Sequence, residues 1–277
     1  MLENIDIKTD IVYWITENEI DNIFSGKYWN NEESEKNKAF YILDGNTNKL
    51  IDYLNYQTTY LREFESVIKF SKELGLTIKG VGLDIAAGVC WTTALLSKIA
   101  SLKKIYAIEI SKHRLLKIAP LVFDLFKAET DRIIRVIGSF YDIKLPNESI
   151  DFALMSQAFH HAHKPDLLLR EIYRVLKPGG FILLIGEEPV YAYDIIIKYT
   201  KNIIKYMFPN ITYKSKPINK IIPKFKEMFA PDEVTGDHYY LIKDYYNIFN
   251  NNRYELFLHK EKKYKKYTIF IAIKSIT

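Results

Sequence analysis

The stretch GVGLDIAAGVCWTT, residues 80–93, decides the fold. An apolar run ends at Asp84, a turn of small residues follows, and a helical pattern opens near residue 90. A parallel strand that runs into a tight turn and then a helix brings backbone N–H groups and a positive helix end to the carboxyl edge of a sheet. The dinucleotide fingerprint places three glycines in such a turn. Here Ala86, Gly88 and Cys90 stand in those places. Gly88 is the position where a side chain would most obstruct a ligand lying across the turn, and Ala86 and Ala87 still allow close approach. A pyrophosphate would need more open backbone than this. A ligand that carries adenosine and an amino-acid tail would not.

Outward from this turn, short apolar runs alternate with amphipathic stretches, the pattern of a parallel sheet built from βαβ units. Strands are expected at 80–84, 104–109, 132–137, 150–155 and 181–185, with helices near 90–101, 112–127 and 166–176. Pro120 should kink or end the second of these helices. Asp166 can cap the third, and Pro178-Gly179-Gly180 should stop it and turn the chain into the next strand. Two later runs, 254–260 and 267–274, are close enough to pair as an antiparallel hairpin. The expected fold class is α/β, Rossmann-like, with a seven-stranded mixed sheet ending in that hairpin. Residues 1–75 read as mostly helical. The division expected is a helical N-terminal cap over 1–78 and a main domain over 79–277, interrupted by an insertion at 187–236.

Glu109 ends the second of these strands, 25 residues after Asp84. A carboxylate at that place can accept hydrogen bonds from both hydroxyls of a ribose.

With 277 residues, 48% of them apolar and 14% aromatic, the chain can bury a real core. Its net charge of +5 is mild for a dedicated nucleic-acid binder, and no nucleic-acid-binding module is visible. Cys90 is the only cysteine, which excludes an internal disulfide and suits a reducing cytoplasm. The acidic start MLENIDIKTDIVYW lacks the pattern of a signal peptide, and no run is apolar enough to predict a membrane span.

Four blocks in order, GLDIAAGVCWTT, YAIEIS, GSFYDIKLPNESIDFALMSQAFHH and LLLREIYRVLKPGGFILLIGEE, resemble the class I S-adenosylmethionine-dependent methyltransferases. Within that class they are similar to the small-molecule group that includes the ubiquinone/menaquinone-type enzymes. The resemblance spans about residues 79–188. It implies a cofactor, S-adenosyl-L-methionine, with Asp84, Ala86 and Gly88 at its methionine end and Glu109 on its ribose. It also implies Ser139 and Phe140 at the adenine and Gln157 near the methionyl group. The family often has glycine where this chain has Ala86 and Cys90, and an acid where it has Ser139; Asp142 could stand in for that acid. The departures at 86 and 90 are what a non-catalytic, partner-subunit relative would show. A nicotinamide-dependent oxidoreductase, the other alternative, should carry its glycine-rich turn near the N-terminus.

The chemistry implied is methyl transfer to an oxygen or nitrogen atom of a small acceptor. An alkylation of this kind gains chiefly from alignment, and a general base helps where the acceptor is a hydroxyl. Candidate bases are His160 and His161 after the fourth strand and His238 in PDEVTGDHYY, each with an imidazole suited to neutral pH. Glu187 and Glu188 follow the fifth strand. No metal is expected: the HHAH histidines have no cysteine to complete a site, and their spacing suits neither a helix nor a strand face. The acceptor expected is a sugar or a phosphorylated metabolite: residues 198–226 hold eight lysines and no acid, which favours an anionic acceptor (phosphorylated, nucleotide-linked or carboxylated) or weak contact with an anionic membrane surface.

Overall fold

The computed structural model describes residues 10–23, 25–207, 230–259 and 268–275. Its eight strands are β1 (Asp10–Tyr13), β2 (Gly80–Ile85), β3 (Leu102–Glu109), β4 (Ile133–Ile137), β5 (Ile150–Ser156), β6 (Leu176–Glu187), β7 (Tyr254–His259) and β8 (Thr268–Lys274). They form one sheet in the order β1-β4-β3-β2-β5-β6-β8-β7. Every pairing from β1 to β6 is parallel, and β8 runs antiparallel to both β6 and β7. The expected mixed sheet and closing hairpin are present; the lysine-rich connection between β7 and β8 lies outside the described residues.

The sheet has eight strands rather than the seven expected. The extra one is β1, four residues that pair with β4 through the register Asp10↔Ile134 to Tyr13↔Ile137. The N-terminal segment therefore contributes a strand as well as helices α1 (Glu17–Asn22), α2 (Gly26–Trp29), α3 (Asn48–Asp52) and α4 (Tyr60–Glu73). The helical pattern read over 50–73 is broken at Thr59, whose φ of 68° is left-handed.

Side chains alternate across the sheet, as the pleat requires. In β5, Phe152 and Leu154 face the layer formed by α4, α5 (Trp91–Ser97) and α6 (Ala119–Phe126). Ala153 and Met155 face the opposite layer, with α7 (Pro165–Val175) and α9 (Ile242–Asn251); between these in sequence lies α8 (Ala192–Met207). Both faces are buried, which is why the central strands read as continuous apolar runs.

Two local signals resolve differently from expectation. Pro120 sits in the first turn of α6, and the preceding residues Arg114–Ile118 widen into a π turn. A proline there lacks an N–H and crowds the carbonyl four residues back, so the helix changes pitch before it. Asp166 does not cap α7. Pro165 starts that helix with its φ already set, and Asp166 instead accepts a hydrogen bond from Asn252 Nδ2 at 2.7 Å. After α7 the chain enters β6 at once, and Pro178-Gly179-Gly180 is absorbed within the strand where its register against β5 shifts.

The chain steps from β2 to β3 and β4 on one side and then crosses to β5 on the other. The crevice at the carboxyl ends of β2, β3 and β5 is thus the switch point where open α/β sheets bind ligands.

Candidate active site

A cavity of about 370 Å³ opens at this switch point, within the size range of small-molecule sites. Its floor is the turn after β2. Ala86, Gly88 and Cys90 adopt φ values of 51°, 55° and 64°, so the turn follows the backbone path that glycine usually supplies while two of its three positions carry side chains. A left-handed residue of this kind costs on the order of 1 kcal/mol. The backbone does not yield to the substitution: the Ala87 amide donates to Ile108 O at 2.9 Å, and Cys90 N–H to Ala87 O at 2.8 Å. A Cβ built on Gly88 would meet only Arg114 Nη1, at 3.8 Å, so the turn leaves open space where a ligand would pass.

Glu109 stands at the end of β3, 4% exposed and on the cavity wall. Its Oε2 accepts the Gly88 amide at 2.8 Å, and its Oε1 accepts those of Ile110 and Ser111, each at 2.9 Å. Oε2 keeps lone-pair capacity beyond its one bond, whereas Oε1 already accepts two. Asp84, by contrast, does not line the cavity. It lies fully buried behind the turn, where its Oδ2 takes the hydroxyls of Thr92 and Thr93 at 2.6 and 2.5 Å. Its Oδ1 has no partner, and burial pushes the carboxyl up to about 6 against the pull of the two threonines.

Ser139, Phe140 and Gln157 all reach the cavity. The Ser139 hydroxyl accepts the Tyr141 amide at 3.2 Å, and Phe140 packs edge-on to Tyr141 with centroids 4.6 Å apart. Gln157 is held at φ 51° beyond β5, its amide donating to Ile185 O. Asp142 is an exposed partner of Lys144, off the cavity wall.

The N-terminal segment supplies the opposite wall with Tyr28, Trp29, Phe40, Tyr53 and Tyr60, none of which the sequence marked out. Its anchor is Glu35, 1% exposed. Glu35 grips Arg114 in a two-pronged pair and also bonds His113 Nε2, while His113 Nδ1 meets the Ser111 hydroxyl at 3.0 Å. Burial opposes the charge on Glu35, but His113 and Arg114 outweigh it and hold the carboxyl below its ordinary range. The Arg114 guanidinium stacks 4.9 Å over both Trp29 and Phe40.

Of the three candidate bases, two line the cavity and one does not. His160 and His161 lie on the one-turn helix Phe159–His161 directly after β5, their rings 4.3 Å apart. His160 Nδ1 bonds Glu187 Oε2 at 3.0 Å. Glu187 is no free base. It is fully buried and also takes the amides of Ala158 and Phe159 and the Tyr245 hydroxyl. Burial opposes the charge on both members, yet their attraction prevails: Glu187 is held low and His160 is raised. His161 Nδ1 lies 2.8 Å from Asp237 Oδ1. Burial lowers His161, and the imidazole holds Asp237 down. His238 is off the cavity wall; its amide donates to His160 O at 2.8 Å and ties the two loops together. Asp237 was hidden in PDEVTGDHYY, because nothing in that run signals that it folds against residue 161.

This donor set fits an adenosyl sulfonium. A carboxylate on the wall matches ribose hydroxyls, aromatic faces suit a cationic centre, Gly88 leaves room for the chain of the ligand, and the unpaired Asp84 oxygen lies behind the turn with no cation beside it among the described residues.

The fold, a Rossmann-like sheet with its closing hairpin, is the one that class I methyltransferases share. Residues 83–184 match the family described as a methyltransferase domain. The chain thus carries a stretch similar to a methyltransferase domain, and S-adenosylmethionine is the cofactor that such a domain implies. None of the curated proteins matches the sequence. Among solved structures, the YcgJ protein of Bacillus subtilis is 14% identical, covers 77% of this chain and 98% of its own, and superposes with a TM-score of 0.53. A Bacillus halodurans protein described as a methyltransferase gives 15%, 77%, 99% and 0.54 in the same order. A Haloferax volcanii protein, also described as a methyltransferase and solved in complex with the Trm112 methyltransferase activator, gives 11%, 86%, 98% and 0.53. At such identities these likenesses speak for the fold. Among the described residues no helix is long and apolar enough to cross a membrane.

Proposed function

We propose that the chain methylates an oxygen or nitrogen atom of a small acceptor seated between the N-terminal wall and the His160–His161 turn. The observation that carries this reading is the two-ended cavity: the 86–89 turn and Glu109 at one end, His160, His161 and Asp237 at the other. When bound, S-adenosylmethionine supplies a methyl group already activated on sulfur. Ala86 and Gly88 then lie along its methionine portion, Glu109 holds its ribose hydroxyls, Ser139 and Phe140 border its adenine, and Gln157 stands near its methionyl group. Asp84 acts from behind the turn by fixing the start of α5 through Thr92 and Thr93. The His160–His161 end handles the acceptor and its proton, and the aromatic wall excludes water. What the fold supplies is alignment, on the order of 7–11 kcal/mol of barrier at best.

Lys38 on the cavity wall favours an acceptor with negative charge; the lysines at 214–226 lie outside the described residues. The lone buried Cys90 suits a reducing, cytoplasmic setting.

The test is a screen of small hydroxylated and aminated acceptors, anionic ones included, with a methyl-labelled cofactor. His160→Ala and His161→Ala are then assayed on the acceptor found. Turnover should fall by about 10²–10⁴-fold, with S-adenosylhomocysteine still bound. Full turnover in both variants would remove these residues from the reaction.

A further inference from the structure

His161 and Asp237 meet on the cavity wall. Nδ1 and Oδ1 lie 2.8 Å apart and both are shielded from solvent. An imidazole nitrogen and a carboxylate oxygen brought this close are also a pair of donors that one cation can share. His160 completes the picture. One ligand atom from each of His160, His161 and Asp237 lies within 4.8 Å of the other two. Because the other ring nitrogen of His160 is engaged by Glu187, that imidazole is oriented and its tautomer set. A ligating histidine commonly leans on a carboxylate in this way. Glu187 is itself fixed by two amides and the Tyr245 hydroxyl.

From this we infer that His160, His161 and Asp237 form a binding site for a divalent transition-metal cation of the zinc type at the acceptor end of the cavity. Two imidazoles and one carboxylate are a known donor set for such ions, and three protein ligands leave a position open. A tetrahedral cation about 2.1 Å from each donor separates them by roughly 3.4 Å. The His161–Asp237 pair therefore opens by some tenths of an ångström on binding, and the wider pairs close. The histidines alone could not suggest this site, since the third ligand arrives from a segment 76 residues away in sequence. All three ligands line the cavity, so an acceptor in it can reach the ion. An acceptor hydroxyl held there is acidified and releases its proton to solvent. That use of the cation rests on the methyl-transfer reading; the binding does not.

The full-length protein, stripped with chelator, is titrated with zinc chloride in a calorimeter, and a second sample with S-adenosylhomocysteine. One zinc ion per chain is expected. Asp237→Asn should lower the affinity at least tenfold with the melting temperature of the metal-free protein unchanged. Glu187→Gln, which only positions His160, should lower it 10–100-fold. Should either variant fail to fold, the unaltered chain serves: zinc should protect His160 and His161 from diethylpyrocarbonate, read by mass spectrometry. Absence of saturable uptake, or uptake that neither the substitutions nor the protection pattern traces to these residues, overturns the site. Zinc uptake without S-adenosylhomocysteine binding would overturn the methyl-transfer reading and leave the site; the reverse result would do the opposite.

Discussion

The Gly88 amide donates to Glu109 Oε2 across 2.8 Å, joining the turn after β2 to the end of β3. With Ile110 and Ser111 on its other oxygen, Glu109 gathers three backbone amides around one carboxylate. A residue expected simply to hold a ribose thus also builds the cradle in which that ribose would lie. Glu109→Ala leaves three donors without their acceptor. The free protein should lose about 2–4 kcal/mol of stability, and S-adenosylhomocysteine binding should weaken by about 1.5–3 kcal/mol, the range for a hydrogen bond to a charged group. Urea denaturation and calorimetry read the two effects separately. An unchanged denaturation midpoint would show that the amides do not depend on Glu109.

Opposite results are expected at two neighbouring positions of the same turn. Both Ala86 and Gly88 are left-handed, so Ala86→Gly removes strain and Gly88→Ala adds it. The first should stabilise by no more than about 1 kcal/mol, since the gain is partly offset by the greater freedom of glycine in the unfolded chain. The second should destabilise by about 1 kcal/mol and weaken cofactor binding further, because its methyl group enters open cavity. Thermal melts with and without S-adenosylhomocysteine separate the terms. A Gly88→Ala protein that binds the cofactor normally would place the ligand elsewhere.

The legible part of the fold was the part written locally. Apolar runs bounded by turn residues located β2 to β8, most plainly β4, β5 and β6, whose residues are buried along most of their length and tolerate little else. β1 was lost because DIVY is four residues in an acidic segment, and its pairing with β4 bridges more than 120 residues. The end of the cavity built by the turn after β2 was legible because strand, turn and acid are local features; Ala86, Gly88, Glu109, Ser139, Phe140 and Gln157 all line the cavity. The opposite end was not. Glu35 with Arg114, and His161 with Asp237, are side chains that meet only after the sheet has formed, and no spacing encodes such a meeting. Asp84 was placed on the right turn but on the wrong side of it: its carboxyl points to Thr92 and Thr93.

Glu35 makes the N-terminal wall dependent on a buried ion pair. Arg114 is 9% exposed and gives both Nε and Nη2 to this one carboxylate. Glu35→Ala strands the guanidinium in the interior, and breaking a buried pair of this sort costs about 3–5 kcal/mol. Limited proteolysis should then cut within residues 25–57 faster than in the parent protein, and cofactor affinity should fall through the loss of Arg114's position. Unaltered proteolysis would mean that the stacking of Arg114 on Trp29 and Phe40 suffices to hold this wall.

Asp84 predicts a pH dependence whose sign is unusual for a carboxylate. Burial raises its folded-state value to about 6, whereas in the unfolded chain an aspartate titrates near 3.9. Between these values the folded protein binds the extra proton, so stability falls as pH rises through this window. The cost is fully present above about pH 6 and absent below about pH 4, and on the order of 3 kcal/mol in all. Asp84→Asn keeps an oxygen for the Thr92 and Thr93 hydroxyls and carries no charge at any pH. Relative to the parent protein, the variant should therefore gain urea resistance steadily from pH 4 to pH 6.5 and hold a constant advantage above that. A stability difference that does not change with pH would show that the Asp84 carboxylate is stabilised in its ionised form, by a cation or by water reaching its unpaired Oδ1.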